Sequence, residues 1–182
     1  IPTGCASNLR EPKDIKADFV LASSRLADEG YNPSKKLMFV DPGNYKYEKT
    51  IINGLSVPHD RFQGRRFGMA SLWIWNQNNI KIVHMSGAAA KINIKDQILL
   101  SRPDILFISI GGGAKSYDGK EASEIIKKLK PTIVIPVHYL KNAKFAEDCD
   151  FSNSDLFLEN MPDFKVKYVR KNLKIGKKDL KE

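Results

Sequence analysis

Cysteine is almost absent from this chain. The two that occur, Cys5 and Cys149, lie far apart in 182 residues and match no zinc-ligand spacing such as C-x-x-C. They can pair in an oxidising compartment, but two idle thiols are the expectation. Long apolar runs are missing too. A bilayer span needs roughly 20 apolar residues, whereas the longest runs here are strand-sized, such as residues 133–137, so no membrane span is expected. The first residue is Ile1, with no charged-then-apolar leader before it, so the chain is expected to be trimmed or processed. Neither G-x-G-x-x-G nor G-K-[ST] follows a strand, which argues against dinucleotide and P-loop sites. G-x-S-x-G is absent, and with it a nucleophile elbow. There is no internal repeat, low-complexity tract or linker, so residues 1–182 are expected to form one domain.

With 42% hydrophobic and 28% charged residues, the chain has enough apolar material for a core and is neither disordered nor fibrous. The net charge of +9 and pI near 9.5 would suit an anionic partner. Lysine is spread along the chain, however, as composition bias alone would produce. The densest basic stretch, residues 165–181, carries no interleaved stacking aromatic beyond Tyr168, so nucleic-acid binding is not expected.

Short apolar strands are predicted at residues 18–22 and 36–40, the second closed by Asp41-Pro42-Gly43. Longer strands are predicted at 46–53 and 70–76. In the latter, Leu72 and Ile74 alternate with Trp73 and Trp75, making both faces apolar as a sheet covered on two sides requires. A polar link at 76–79 joins it to a strand at 80–85, giving a hairpin. A helix at 95–100 precedes a buried strand at 104–110 that runs into Gly111-Gly112-Gly113. Asp118 and Glu121 form a capping-box pattern before Ala122, Ile125, Ile126 and Leu129 at helical spacing. The next strand, 132–137, should lie parallel to 104–110. A short helix at 154–161 and strands at 165–169 and 173–175 complete the reading.

Three histidines could carry chemistry. His138 ends a buried strand, at the sheet edge where functional groups gather, and a hydrogen-bonded structural histidine fits that place equally well. His59 sits in the charged, glycine-rich loop 57–68, either a site loop or a solvated turn. His84 lies inside an apolar strand and reads as a packed core histidine. The three glycines at 111–113 could cradle an anion through backbone N–H groups.

In this order the segments resemble the metallo-β-lactamase-fold superfamily, in the branch of Zn-dependent hydrolases that includes ascorbate-6-phosphate lactonase-like proteins. Residues 17–23 resemble the strand leading into the H-x-H-x-D-H motif. His59-Asp60-Arg61 with residues 64–68 resembles the loop supplying a later histidine ligand. Residues 81–85 resemble the strand before the bridging aspartate. Residues 104–113 and 130–139 resemble the family's GGG and IPmHY end. Gly4-Cys5, residues 23–30 and Gly87-Ala88-Ala89-Ala90 look like a sub-branch found mostly in photosynthetic bacteria. The resemblance implies an α+β, four-layer αββα sandwich whose N-terminal strands are missing, the chain covering the C-terminal three quarters of the fold. An edge left open in this way would favour a homodimer.

The resemblance also implies a depleted metal site. Ser24 and Leu26 fall where the first two histidines should be, Asp28 on the aspartate, Glu29 on the third histidine and Gly87 on the bridging aspartate. Asp28, Glu29 and His138 remain as a candidate set for one Zn, Mn or Fe ion. In a hydrolase of an ester, lactone or phosphoester, His59 and Asp60 would belong to the catalytic loop, His59 assisting proton transfer. Arg65 and Arg66 would orient an anionic substrate. The alternative is a metal-free protein that keeps the fold and binds a small anion, with Asp60 paired to Arg65 or Arg66 as a clamp. A nuclease-like role is not expected, because it would need the replaced histidines. The compartment is left open.

Overall fold

The computed structural model describes residues 16–26, 29–30, 32, 36–140, 149–169 and 172–180. Strands β1 (Phe19–Leu21) and β2 (Leu37–Phe39) pair in parallel as a small sheet. Six strands, β3 (Gly43–Tyr47), β4 (Thr50–Pro58), β5 (Met69–Gln77), β6 (Ile80–His84), β7 (Ile105–Ser109) and β8 (Ile133–Val137), lie side by side in chain order in a second sheet. Pairing is antiparallel from β3 to β6 and parallel from β6 to β8. Helices α1 (Ile94–Leu100) and α2 (Gly119–Leu129) provide the crossovers of the parallel part, and α3 (Asp155–Glu159) follows β8.

The alternation in β5 explains the layering. Ala70, Leu72 and Ile74 share one core with Leu106, Ile126, Leu129 and Phe157, so α2 and α3 cover that face. Trp73, 1% exposed, faces the other way, toward the small sheet. Its indole N–H donates to Ala22 O at 3.0 Å, and Ser71 Oγ donates to Val40 O at 2.6 Å. These two bonds pin the ends of β1 and β2 to the large sheet. Further along the same face, Ile80, Ile82 and Ile105 pack with Ile133, Ile175 and Leu180. Both faces are covered, as the paired Leu/Ile and Trp positions require.

The hairpin at β5–β6 is present and tighter than expected. The strands run to Gln77 and from Ile80, leaving Asn78 and Asn79 as a two-residue turn with φ of 53° and 61°. The capping box on α2 is formed in both directions: Asp118 Oδ1 accepts from Glu121 N at 2.8 Å, and Glu121 Oε2 accepts from Asp118 N at 3.0 Å.

Three expectations are corrected. Residues 46–53 are not one strand: Glu48, with φ 49°, turns the chain between β3 and β4, without a glycine or proline to mark the place. Residues 165–169 and 173–175 form no strand: neither segment pairs with the outer edge of β8, the last strand of the large sheet. Cys149 is disulfide-bonded rather than an idle thiol, since distance along a chain does not limit proximity in a fold; Cys5 lies outside the described residues. Among the described residues no helix is long and apolar enough to cross a membrane.

Candidate functional site

The turn after β1 builds the first part of the site. Leu26 O accepts the N–H groups of Glu29 and Gly30 at 2.9 and 2.7 Å, which folds the Glu29 carboxylate back toward the serines. Ser23 Oγ and Ser24 Oγ donate to Glu29 Oε2 at 2.9 and 2.8 Å. On the other oxygen, Oε1, Lys115 Nζ and His59 Nε2 each stand at 3.0 Å. Burial raises the Glu29 pKa, but the His59 ring, the Lys115 ammonium and the Ser24 hydroxyl outweigh it and bring the carboxyl down to about 2.

The loop between β4 and β5 presents His59. Its backbone N–H donates to Gly68 O at 3.0 Å, closing the loop. Asp60, 1% exposed, sits at the centre. Its carboxylate accepts four backbone N–H groups, from Phe62 at 2.7 Å, Gly64 at 3.1 Å, Arg66 at 3.1 Å and Phe67 at 2.8 Å. Burial raises its pKa, and these donors overcome burial and hold it below the ordinary carboxylate value. The expected clamp therefore exists, but Asp60 makes it with backbone amides and not with a guanidinium. The same engagement commits the Asp60 oxygens to the loop. Arg65 and Arg66 are exposed, and the Arg66 guanidinium lies 4.9 Å from the Phe67 ring centroid. His59 is fully buried, yet neither ring nitrogen has a partner with the alignment a hydrogen bond needs, despite the proximity of Glu29.

Arg61 was not among the expected site residues, but it connects two loops. Its guanidinium donates to Glu121 at 3.0 and 2.6 Å, to Gly113 O at 2.7 Å and to Ser116 O at 3.0 Å. The loop after β7 is thereby shaped from outside, and Ser116 Oγ donates to Gly112 O from within. Two of the three glycine amides that could have cradled an anion are engaged within the protein. Gly111 N donates to His138 O at 3.0 Å and Gly112 N to Tyr117 O at 2.9 Å. Gly111 is required by close packing, since a Cβ there would lie 2.3 Å from His138 O. This loop also delivers Lys115, which the sequence reading did not single out. Its Nζ lies 5.7 Å from the Phe67 ring centroid.

A cavity of about 260 Å³ opens beside Glu29, bordered by Ser23, Trp73, Trp75, His84, Ser86, Gly87 and His138 among others. His138 takes up a left-handed backbone, φ 54°, and sets its ring edge-on to Phe151 at 4.4 Å. His84 stacks on Phe107 at 5.5 Å, as a packed histidine would, but it also faces the cavity. Burial pushes its pKa down to about 4, and its Nδ1 accepts the Ser86 N–H at 3.0 Å, so the neutral ring carries its proton on Nε2.

Glu29 and His138 thus border one cavity, while His59 meets Glu29 from the loop side. Asp28 lies outside the described residues. A structural zinc site takes four protein ligands and a catalytic one three. Among the described residues no three histidine, cysteine or carboxylate side chains converge in that way. Gly87 offers no donor, and an ammonium already stands against Glu29 Oε1. The described residues do not fit a metal centre.

Comparison with known proteins places this geometry. The model of the beta-lactamase superfamily domain matches residues 2–138. A protein from Thermotoga maritima, provisionally named a Zn-dependent hydrolase of the metallo-β-lactamase superfamily, superposes with a TM-score of 0.62 at 21% identity, over 79% of this chain and 68% of that one. A provisionally named metal-dependent hydrolase from Parabacteroides distasonis gives 0.56 at 14%, over 72% and 70%. A metallo hydrolase from the archaeon Ignicoccus hospitalis gives 0.53 at 17%, over 75% and 70%. No curated protein matches. At such identities the structures speak for the fold, which is the metallo-β-lactamase fold expected from the motifs. With three quarters of its length covered by the family's own pattern, the chain belongs to the beta-lactamase superfamily domain family.

Proposed function

We propose that the chain is a metallo-β-lactamase-fold protein with a depleted metal site, which binds a small anionic molecule without hydrolysing it through bound metal. The observation that carries this reading is the cavity beside Glu29. Two tryptophans wall it, and two imidazoles and two serine hydroxyls, those of Ser23 and Ser86, supply polar groups. The one carboxylate at its border is met by His59 and Lys115. A pocket with aromatic walls and a few convergent donors suits a small anion with an apolar or planar body.

The chain's two tryptophans, Trp73 and Trp75, both border the cavity, so intrinsic fluorescence reports on its occupancy. Titration with a panel of small carboxylates and phosphate esters is expected to give a saturable change that persists in chelator and is lost in His138→Ala. No saturable change with any member, or one that disappears with chelator, would count against the reading.

A second reading is favoured by His59, whose buried ring nitrogens lack aligned partners. It is a hydrolase of an ester, lactone or phosphoester, near the ascorbate-6-phosphate lactonase branch, holding one Zn, Mn or Fe ion with Asp28, Glu29 and His138. It requires Lys115 to withdraw from Glu29. Chelator-sensitive turnover of an ester or lactone, together with a stoichiometric ion in the purified chain, would establish it over the first.

A further inference from the structure

The resemblance to metal-dependent hydrolases puts a histidine at position 29 and a bridging aspartate at position 87, and this chain has Glu29 and Gly87. Two hydroxyls donate to Glu29 Oε2, and two nitrogens crowd Oε1 at 3.0 Å. One of those nitrogens carries a full charge. Lys115 Nζ is held between the carboxylate and the Phe67 ring, its side chain only 19% exposed. Its loop is kept in shape by Arg61, which grips Gly113 and Ser116 on either side of it.

Position 87 has no room for a bridging side chain. A Cβ built there would lie 2.8 Å from His59 Nε2 and 3.2 Å from Glu29 Oε1, so the space a bridging side chain would enter is already filled by this cluster. Glu29, Gly87 and Lys115 fit one another: a carboxylate where the resemblance puts a histidine, no side chain where it puts an aspartate, and an ammonium against that carboxylate.

We propose that the ammonium of Lys115 takes the cation's place beside Glu29 and His59, so that the site is neutralised from within and is closed to a divalent metal. A metal ion reaching Glu29 would have to expel a largely buried cation of like sign, and among the described residues no group of three metal-ligating side chains is there to receive it. The inference rests on the depleted-site reading, but it makes its own claim about which group did the replacing.

The test uses the full chain, its Lys115→Met variant and its Lys115→Arg variant, with cobalt(II) and zinc(II) as probes. For the unaltered chain and for Lys115→Arg, neither chelator nor added zinc moves the thermal midpoint, and cobalt gives no protein-bound visible band. Lys115→Met loses roughly 5 °C in chelator, regains part of it with zinc, and develops a saturable cobalt band. A stoichiometric ion in the unaltered chain overturns the proposal, and so does a folded Lys115→Met that remains indifferent to both metals. Should Lys115→Met not fold, Lys115→Gln takes its place in the cobalt titration: a saturable band upholds the proposal and its absence sinks it. The fluorescence titration with anions is separate. A chain that takes neither metal nor anion keeps this inference and loses the binding function, whereas one that takes both does the reverse.

Discussion

A carboxyl group held by two hydroxyls, an imidazole and an ammonium gives up its proton far more readily than one in water. For Glu29 the folded value near 2 lies below the ordinary 4.5, so the group binds fewer protons folded than unfolded in that interval. Its contribution to stability is therefore complete above pH 4.5 and is lost as the pH falls from 4.5 toward 2. Partial exposure screens the interaction, and about 1–2 kcal/mol is a fair size for it. In urea unfolding at a series of pH values, Glu29→Gln should be less stable than the parent at neutral pH, and the gap should narrow below pH 4.5. Parallel curves for the two would show that Glu29 is not the group concerned. Asp60 titrates in the same direction, but through its own loop's amides. Asp60→Asn is expected to loosen residues 62–67 in amide exchange without disturbing Glu29. These roles were not legible from residue types alone. Four amides around one aspartate require a coiled-up loop, and Lys115 is one lysine among many until the fold sets it against Glu29.

At the scale of elements, one side chain ties two loops and a helix start together. Glu121 Oε2 accepts from the Asp118 N–H as half of the capping box and from Arg61 Nη2. Arg61→Ala should cost about 1.5–3 kcal/mol, the usual range for hydrogen bonds to charged groups. The loss should fall mainly on residues 113–118, whose amides would exchange faster. Because the two residues share one interaction, Arg61→Ala and Glu121→Ala combined should cost less than the sum of the separate losses. Additive losses would mean that the bidentate contact contributes little. The capping box itself was legible, since Asp118 and Glu121 stand at the spacing that a helix start demands. The Arg61 contact was not, because it joins residues 60 positions apart and no local pattern announces it. The strand-helix-strand order was likewise plain from 104 to 137. The β3–β4 turn was hidden, because Glu48 takes a left-handed backbone that its residue type does not advertise.

For the whole molecule, what could be read depended on whether a segment's apolar pattern was answered by a partner. The strands β5 to β8 carry patterns that each neighbour completes, and they appear where expected. Residues 165–169 alternate lysine with valine and tyrosine in the same way, yet Val166, Tyr168 and Val169 remain 49%, 85% and 43% exposed, and the segment pairs with no strand among the described residues. Alternation alone does not make a strand; a partner strand in register must also be there. This difference should be visible in native-state amide exchange. Amides of β5, β6 and β7, each paired on both sides and packed around Leu72, Val83 and Leu106, should open only with global unfolding. Those of residues 165–169 should exchange within the earliest time points, despite their strand-like sequence. Protection of that segment to the level of β7 would show that it finds a ladder in solution, on β8 or on a second copy of the chain, and sedimentation across a concentration series would tell the two apart, since only pairing with a second copy depends on concentration.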